Sequence, residues 1–106
     1  MATSPATVSF ILAKLGNDPR FSTRAMFGEY ALYAEGKVVA LVCDDMLYVK
    51  MVPASEALST TCETGPPYPG AKPHYIVTED QLSVVEGLPA ILIAISRALP
   101  ERKKKA

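Results

Sequence analysis

The stretch RAMFGEYALYAEGKVVALVCDDMLYVK, from Arg24 to Lys50, predicts the sheet around which the rest of the chain is organised. It reads as three short strands joined by two tight turns. Glu35-Gly36 separates the first two apolar runs, where a two-residue hairpin needs a glycine that accepts positive φ. Asp44-Asp45 separates the second run from the third, and aspartate tolerates turn geometry through local hydrogen bonds. The stretch therefore predicts a meander of antiparallel strands.

The second run is apolar on both of its faces. Alternation with period two, which is typical of strands, places Val38, Ala40 and Val42 opposite Val39, Leu41 and Cys43. Because both sets are apolar, we expect this central strand to be covered on each side, at least in part. Gly28, inside the first run, indicates a bulge or a close backbone approach.

The segment before the stretch predicts a helix and a connector. Ser4-Pro5 is typical of a helix start, with serine as the N-cap and proline at the first helical position. The next apolar residues recur on one helical face and end at Gly16; they are Val8, Ile11, Leu12 and Leu15. Residues 17–23 are expected to form a polar connector into the sheet.

The segment after the stretch predicts further helices and one more strand. Pro53 opens a short helix to about Thr61, and the proline-rich residues 63–73 are expected to form a loop. His74 to Val77 reads as a fourth strand. Thr78 with Gln81 is a capping box, and a last helix is expected from Pro89 to about Leu99. The basic residues 100–106 are expected to be a flexible tail.

These elements predict one α+β domain over residues 1–106. Its antiparallel sheet of about four to five strands, joined by meander hairpins, is backed by helices in a two-layer arrangement. A chain of this length buries roughly 65% of its unfolded surface, which is enough for a hydrophobic core.

The last helix carries two apolar stripes. One stripe is expected to face the sheet and contains Leu88, Ile91, Leu92, Ile95 and Leu99. The opposite stripe contains Ala90, Ile93, Ala94 and Arg97, and it is small and apolar where a surface helix is usually charged. Such a helix needs cover on both sides, from the first helix or from a second copy of the chain. We therefore expect a homodimer through this stripe.

Composition limits the classes of partner. Lys plus Arg and Asp plus Glu number 11 each, so the formal net charge is zero. Proteins that bind nucleic acid by themselves usually carry a basic excess, since neutralisation of phosphates dominates that affinity. We therefore expect no strong direct binding of nucleic acid. No apolar run reaches membrane-spanning length and no secretory signal is present, so we expect no membrane association and a cytoplasmic location.

No motif indicates catalysis, a cofactor or a metal. The one histidine, His74, has no ligand-type spacing to Cys43 or Cys62, and the two cysteines form no CxxC pair. Reduced, structural thiols are the expected state of both cysteines. Asp44-Asp45 is better explained as a turn than as a pair of catalytic carboxylates. We predict no catalytic residue, no cofactor and no metal.

The same central stretch resembles the N-terminal domain of the TfoX/Sxy family of bacterial competence regulators. The pattern R-x-M-F-G, then Tyr, Tyr, Gly-Lys, Asp and L-Y-x-K runs unbroken through the stretch. The family-motif residues are Arg24, Met26, Phe27, Gly28, Tyr30, Tyr33, Gly36, Lys37, Asp44, Leu47, Tyr48 and Lys50. Glu29 and Ala31 depart from the pattern, since the family usually has glycine at both positions.

The resemblance implies a stand-alone N-domain with an antiparallel sheet backed by helices, in the manner of secretion-chaperone folds. It also implies a non-enzymatic regulatory module with a protein partner, because the family is similar to a co-activator of the cyclic-AMP receptor protein at competence promoters. Full-length members carry a second, C-terminal domain suited to DNA contacts. The alternative is a small-ligand-binding protein or enzyme with a pocket near Arg24, Tyr30 and His74, which convergent polar groups would favour.

Overall fold

The computed structural model describes residues 4–26, 29–85 and 87–99 and contains one six-stranded antiparallel sheet. The strand order is β1-β2-β3-β4-β6-β5. The strands are β1 Phe21–Met26, β2 Glu29–Ala34, β3 Lys37–Cys43, β4 Met46–Lys50, β5 Glu63–Gly65 and β6 His74–Val77. Strands β2, β3 and β4 form the predicted three-stranded meander, β1 precedes them as a fourth strand, and β6 inserts between β4 and β5. The predicted α+β class with an antiparallel sheet and helices is confirmed.

Three α-helices and one 3₁₀ helix accompany the sheet within the described segments. They are α1 Pro5–Lys14, α2 Glu79–Val84, α3 Leu88–Ala98 and the 3₁₀ helix Pro53–Thr60. Helix α1 begins as predicted, since the Ser4 hydroxyl accepts a hydrogen bond from the Ala6 N–H at 3.1 Å. The capping box at the start of α2 is also confirmed, because Thr78 Oγ1 accepts from the Gln81 N–H. None of the helices in the described segments has the length and apolarity needed to cross a membrane.

The hydrophobic core lies on one face of the sheet, which we call the inner face. Helix residues such as Ile11, Leu92 and Ile95 share a single buried cluster with sheet residues. The sheet members of that cluster occupy neighbouring register positions of one face; they are Phe21, Leu32, Ala34, Val39, Ala40, Val42, Leu47, Val49, Tyr75 and Val77. The helices therefore form a second layer on the inner face.

A bulge in β3 changes which side chains share a face. Leu32 pairs with Ala40, but Tyr33 pairs with Val38, so Val39 is the extra residue. Val39 and Ala40 are both fully buried in the inner-face cluster. The strict alternation that we predicted for this run is therefore wrong, because two adjacent residues of a bulged strand turn to the same side. The bulge expected at Gly28 lies outside the described residues.

Two strands were not predicted. Residues 21–23, expected to belong to a polar connector, open β1, which continues into the first predicted strand as far as Met26 and is separate from β2. Residues 63–65, expected to belong to a loop, form β5. Both are edge strands, where polar residues and neighbouring prolines are tolerated because only one side of the backbone is paired. The sheet consequently has six strands rather than four or five. The basic tail predicted over residues 100–106 lies outside the described residues.

Helix α3 confirms one of its two predicted stripes. Leu88, Leu92 and Ile95 are buried toward the sheet, with Ile91 and Leu99 packed partly against the same cluster. In the opposite stripe Ile93 is only 7% exposed within the single chain and belongs to the core. Ile93 is therefore covered within one chain, and the homodimer expected through this stripe stays a prediction. The remaining members, Ala90, Ala94 and Arg97, are exposed.

The β2–β3 turn allows a direct test of the hairpin. Glu35 and Gly36 have φ of 52° and 85°, as the two central residues of a type I′ turn require. We expect Gly36→Val to lower the free energy of unfolding by roughly 1–3 kcal/mol through backbone strain. No atom lies within 4 Å of a Cβ at this position, so steric contact contributes nothing to the loss.

The matched control is Gly36→Asn, because asparagine tolerates left-handed φ far better than a β-branched residue does. Chemical denaturation of both variants separates strain from the simple loss of glycine. Equal stabilities of the valine and asparagine variants would contradict the prediction.

Candidate functional site: the outer face of the sheet

The two ends of β3 hold two helices in place. At its start, Lys37 Nζ donates hydrogen bonds to the carbonyls of Ser96 and Leu99 at 2.9 and 3.0 Å. These carbonyls belong to the C-terminal end of α3, where backbone acceptors lack helical partners and the helix dipole favours a cation. The Glu35 carboxylate in the adjoining turn accepts from Arg97 at 3.3 Å, and this interaction lowers the pKa of Glu35. The family-motif residue Lys37 is thus a cap for α3.

At the other end of β3, the turn that leads to β4 contacts the N-terminus of α1. Asp45 Oδ1 accepts hydrogen bonds from the Ser4 N–H and from the Thr7 hydroxyl, each at 2.9 Å. The same two donors lower the pKa of Asp45. A carboxylate at a helix N-terminus is favourable for the same dipolar reason that a cation is favourable at a C-terminus. Asp44 and Asp45 have φ of 51° and 60°, which confirms the predicted turn.

The other family-motif residues divide between the two faces. Tyr30 and Leu47 lie on the inner face in contact with or within the core cluster. The remaining members described with their side chains lie on the opposite face; they are Arg24, Tyr33, Tyr48 and Lys50. Met26 ends β1, but its side chain, together with Phe27 and Gly28, lies outside the described residues. The motif therefore combines residues that build the fold with residues of an external surface.

We call this second surface the outer face. Its apolar members are Ala31, Tyr33, Val38, Leu41, Cys43, Met46, Tyr48 and Ile76, and its polar members include Ser22, Arg24, Glu29, Lys50, Glu63 and His74. None of these residues belongs to the core cluster that contains the helices. An antiparallel sheet with one solvated face normally presents polar residues there. The outer face instead carries a continuous apolar centre.

Two titratable groups of the outer face are buried. Cys43 and Tyr48 are 5% and 6% exposed. Burial raises the pKa of the Cys43 thiol to about 11, with the nearby carboxylates of Glu29 and Asp44 adding to the shift. Burial likewise raises the pKa of the Tyr48 phenol, reinforced by the charge of Asp44. Both groups are therefore neutral at physiological pH, and neither has the properties of an activated nucleophile.

The pocket proposed as the alternative site is not formed. Arg24 and Tyr30 lie on β1 and β2, whereas His74 lies on β6. In the observed strand order, β2 and β6 are separated by three strand spacings, roughly 14 Å, and β1 and β6 by about 19 Å. The side chain of Tyr30 also faces the core, opposite to Arg24 and His74. The three residues therefore do not converge on one ligand.

Other sites of chemistry are limited among the described residues. No group of three His, Cys, Asp or Glu side chains is arranged to hold a metal ion in that part of the chain. Cys43 and Cys62 are both buried and free, and burial also raises the pKa of Cys62. A shallow groove of about 760 Å³ runs beside α3 and is bordered by Arg20 and Arg97. Each arginine is already bonded to a carboxylate, Asp18 and Glu35 respectively.

Comparison with known proteins identifies the family. The family model of the TfoX N-terminal domain matches residues 11–88. The chain belongs to the TfoX N-terminal domain family. It is also similar to an uncharacterized 12.7 kDa protein in the trpE 5′ region of Spirochaeta aurantia, with 35% identity over 105 residues. The match covers 99% of this chain and 90% of that relative.

Within this TfoX-type domain, sequence reasoning missed part of the outer face. Ile76 and Glu63 were not singled out, although Ile76 pairs with the motif residue Tyr48 and Glu63 pairs with Ile76. The signal present in the sequence was the apolar character of both faces of β3. Glu63 gave no such signal, because β5 is too short to show a pattern.

The cap on α3 can be tested by removing its charge. We expect Lys37→Met to lower the free energy of unfolding by roughly 1–3 kcal/mol, because two hydrogen bonds from a charged donor are lost. Lys72→Met is the matched control, since Lys72 is exposed in the β5–β6 loop. Urea denaturation followed by circular dichroism measures both variants. An effect of Lys37→Met no larger than that of the control would refute the capping role.

The raised thiol pKa predicts slow alkylation of the native TfoX-type domain. At about pH 8, a thiol with a pKa of about 11 has roughly 100-fold less thiolate than one with the ordinary pKa of 9.0. We expect Cys43 in the Cys62→Ser variant to react with iodoacetamide at least about 100-fold more slowly in the native state than in guanidinium. Mass spectrometry over time gives both rates, and equal rates would contradict the prediction.

Proposed function

We propose that this TfoX-type domain is a non-enzymatic, cytoplasmic protein-interaction module and that the outer face is its contact surface. The observation that carries the proposal is the apolar centre of this face, which includes the half-buried residues Tyr33, Leu41 and Ile76. Contiguous apolar surface rimmed by polar residues is typical of protein interaction sites. Tyrosine, methionine and arginine, which are enriched in such interfaces, are all present on the outer face.

A non-enzymatic role is supported by how the polar side chains are distributed. His74, the usual candidate for a general base, hydrogen-bonds through Nδ1 with the carbonyl of Lys72 at 2.9 Å. The buried thiols of Cys43 and Cys62 have raised pKa values, whereas a nucleophilic cysteine needs a lowered one. No described cavity combines these residues. A binding role accounts for the outer face, because binding does not require catalytic side chains to converge on one substrate.

Family membership supports the class of partner. The central stretch resembles a family of competence regulators, and the residues that carry this resemblance include Arg24, Tyr33 and Tyr48 on the outer face. We infer that the partner is a protein connected with transcription, contacted by the domain without tight binding of DNA by the domain itself. The equal numbers of basic and acidic residues agree with this division of tasks.

Site-specific photo-crosslinking tests the proposed surface. A photoreactive amino acid at Arg24 or Lys50 would occupy the rim of the outer face, whereas the same residue at Ala13 or Glu56 would occupy exposed helical positions on the other layer. In cells of the source organism, we expect protein adducts from the first pair and none above background from the second. Mass spectrometry identifies the captured chains.

Adducts that arise only at Ala13 or Glu56 would place the interaction on the helical layer. An absence of protein adducts at all four positions would reject the interaction role.

A further inference from the structure

One row of the outer face runs from a cation at one edge of the sheet to an anion at the other. The register joins Arg24 on β1 to Ala31, then to Leu41, Tyr48 and Ile76, and finally to Glu63 on β5. Arg24 and Glu63 are exposed, and neither forms an ion pair among the described residues. They lie five strand spacings apart, roughly 24 Å, so they cannot pair within one chain.

The strand order gives this row a two-fold complementarity. The midpoint of the six strands lies between β3 and β4. A two-fold axis parallel to the strands at that midpoint, between two stacked outer faces, places β1 over β5 of a second copy, β2 over β6 and β3 over β4. Arg24 of each copy then lies over Glu63 of the other, small Ala31 lies over large Ile76, and Leu41 lies over Tyr48.

We propose that the outer face binds a second copy of this chain, forming a homodimer with the sheets stacked face to face and Arg24 paired with Glu63 across both edges. The inference rests on the proposed function to the extent that both use the outer face. Aligned stacking at about 30° between strand directions is common for two sheets about 10 Å apart. The long arginine side chain spans the displacement that this twist produces at the edge.

The neighbouring rows also fit this arrangement. Met46 lies over Cys43 of the second copy, which brings two apolar sulfur-containing side chains together. In the row on the other side, His74 lies over Tyr33 and Lys50 lies over Val38. These pairs do not bring like charges together. The formal net charge of zero also means that two copies do not repel each other at long range.

The size of the outer face sets the strength of the contact. Five strand spacings by about five residues give roughly 24 Å by 17 Å, hence at most about 800 Å² in total from two copies, and less because Ala31, Cys43 and Tyr48 are already buried within one chain. That area corresponds to weak, reversible complexes. We therefore expect a monomer–dimer equilibrium that is visible between about 1 μM and 1 mM.

The groove beside α3 is the competing surface for a second copy. Its two arginines are engaged with Asp18 and Glu35, whereas Arg24 and Glu63 on the outer face form no ion pair among the described residues. Charge therefore selects no orientation there, whereas Arg24 and Glu63 select one on the outer face.

Charge reversal and charge exchange test the proposal on the purified full chain. Sedimentation equilibrium of the wild type should fit a monomer–dimer equilibrium in which the dimer has twice the 11.4 kDa mass of the chain. Arg24→Glu or Glu63→Arg should each raise the dissociation constant at least about tenfold, because like charges then face each other at both edges. The double variant with both substitutions should return to within about threefold of the wild type, since the pair is restored in reverse.

Matched controls keep the overall charge change constant. Lys72→Glu changes the net charge as Arg24→Glu does, and Glu56→Arg as Glu63→Arg does, at exposed positions away from the row. Both should leave the dissociation constant within about twofold. Circular dichroism verifies the fold, and recovery in the double variant shows that the single changes acted through the contact and not through unfolding.

Three results would overturn the proposal. They are a monomeric wild type at about 1 mM, a dimer indifferent to both reversals, and a dimer abolished by Ala94→Arg on the α3 groove. The first result together with protein adducts from crosslinking at Arg24 or Lys50 would leave the proposed interaction role standing with a different occupant. A second outcome separates the two proposals. If the single reversals weaken the dimer, the double variant restores it, and crosslinking captures no other protein, the homodimer is supported and the transcription-related partner is rejected.

Discussion

The central strand β3 is fixed by opposite charges at its two ends, and the helical layer depends on this arrangement. Lys37 caps the carbonyls at the end of α3, while Asp45 in the following turn accepts hydrogen bonds at the start of α1. Both contacts complement the dipole of the helix that they meet. Hydrogen bonds with a charged partner contribute more than neutral ones. One hairpin strand thus positions two helices that are distant from it in sequence.

The sequence predicted those elements of the fold that local interactions determine, and it did not predict those that tertiary contacts determine. The β2–β3 and β3–β4 turns were predicted, because Gly36 and the paired aspartates act through local backbone conformation. The edge strands β1 and β5 were not, since Ser22, Thr23 and Glu63 carry no strand pattern and become strands only by pairing with a neighbour. The bulge at Val39 and the cap formed by Lys37 also depend on tertiary contacts. The residues next to Val39 and Lys37 in the sequence therefore contain no signal for the bulge or for the cap.

The candidate site was predictable in composition but not in geometry. The sequence showed that β3 is apolar on both sides, which indicated a second covered surface. It did not show which side chains share that surface, because the bulge moves Val39 and Ala40 to the same face. Nor did it bring Glu63 into the row of Arg24, which follows only from the insertion of β6 between β4 and β5. Topology, not motif, therefore defines the site.

The edges of the sheet favour contact through a face over contact through strand addition. Strand β1 has an exposed arginine in its middle, and β5 spans only Glu63–Gly65 before Pro66 and Pro67 remove two backbone donors. Charged residues, short strands and prolines are the features by which natural sheets prevent pairing at their edges. The outer face has no comparable protection, since the half-buried side chains of Tyr33, Leu41 and Ile76 are uncharged and the charged residues lie at its rim. In the proposed homodimer, the same Arg24 and Glu63 that make edge pairing unfavourable also orient the second copy on the face, so one pair of side chains would have both roles.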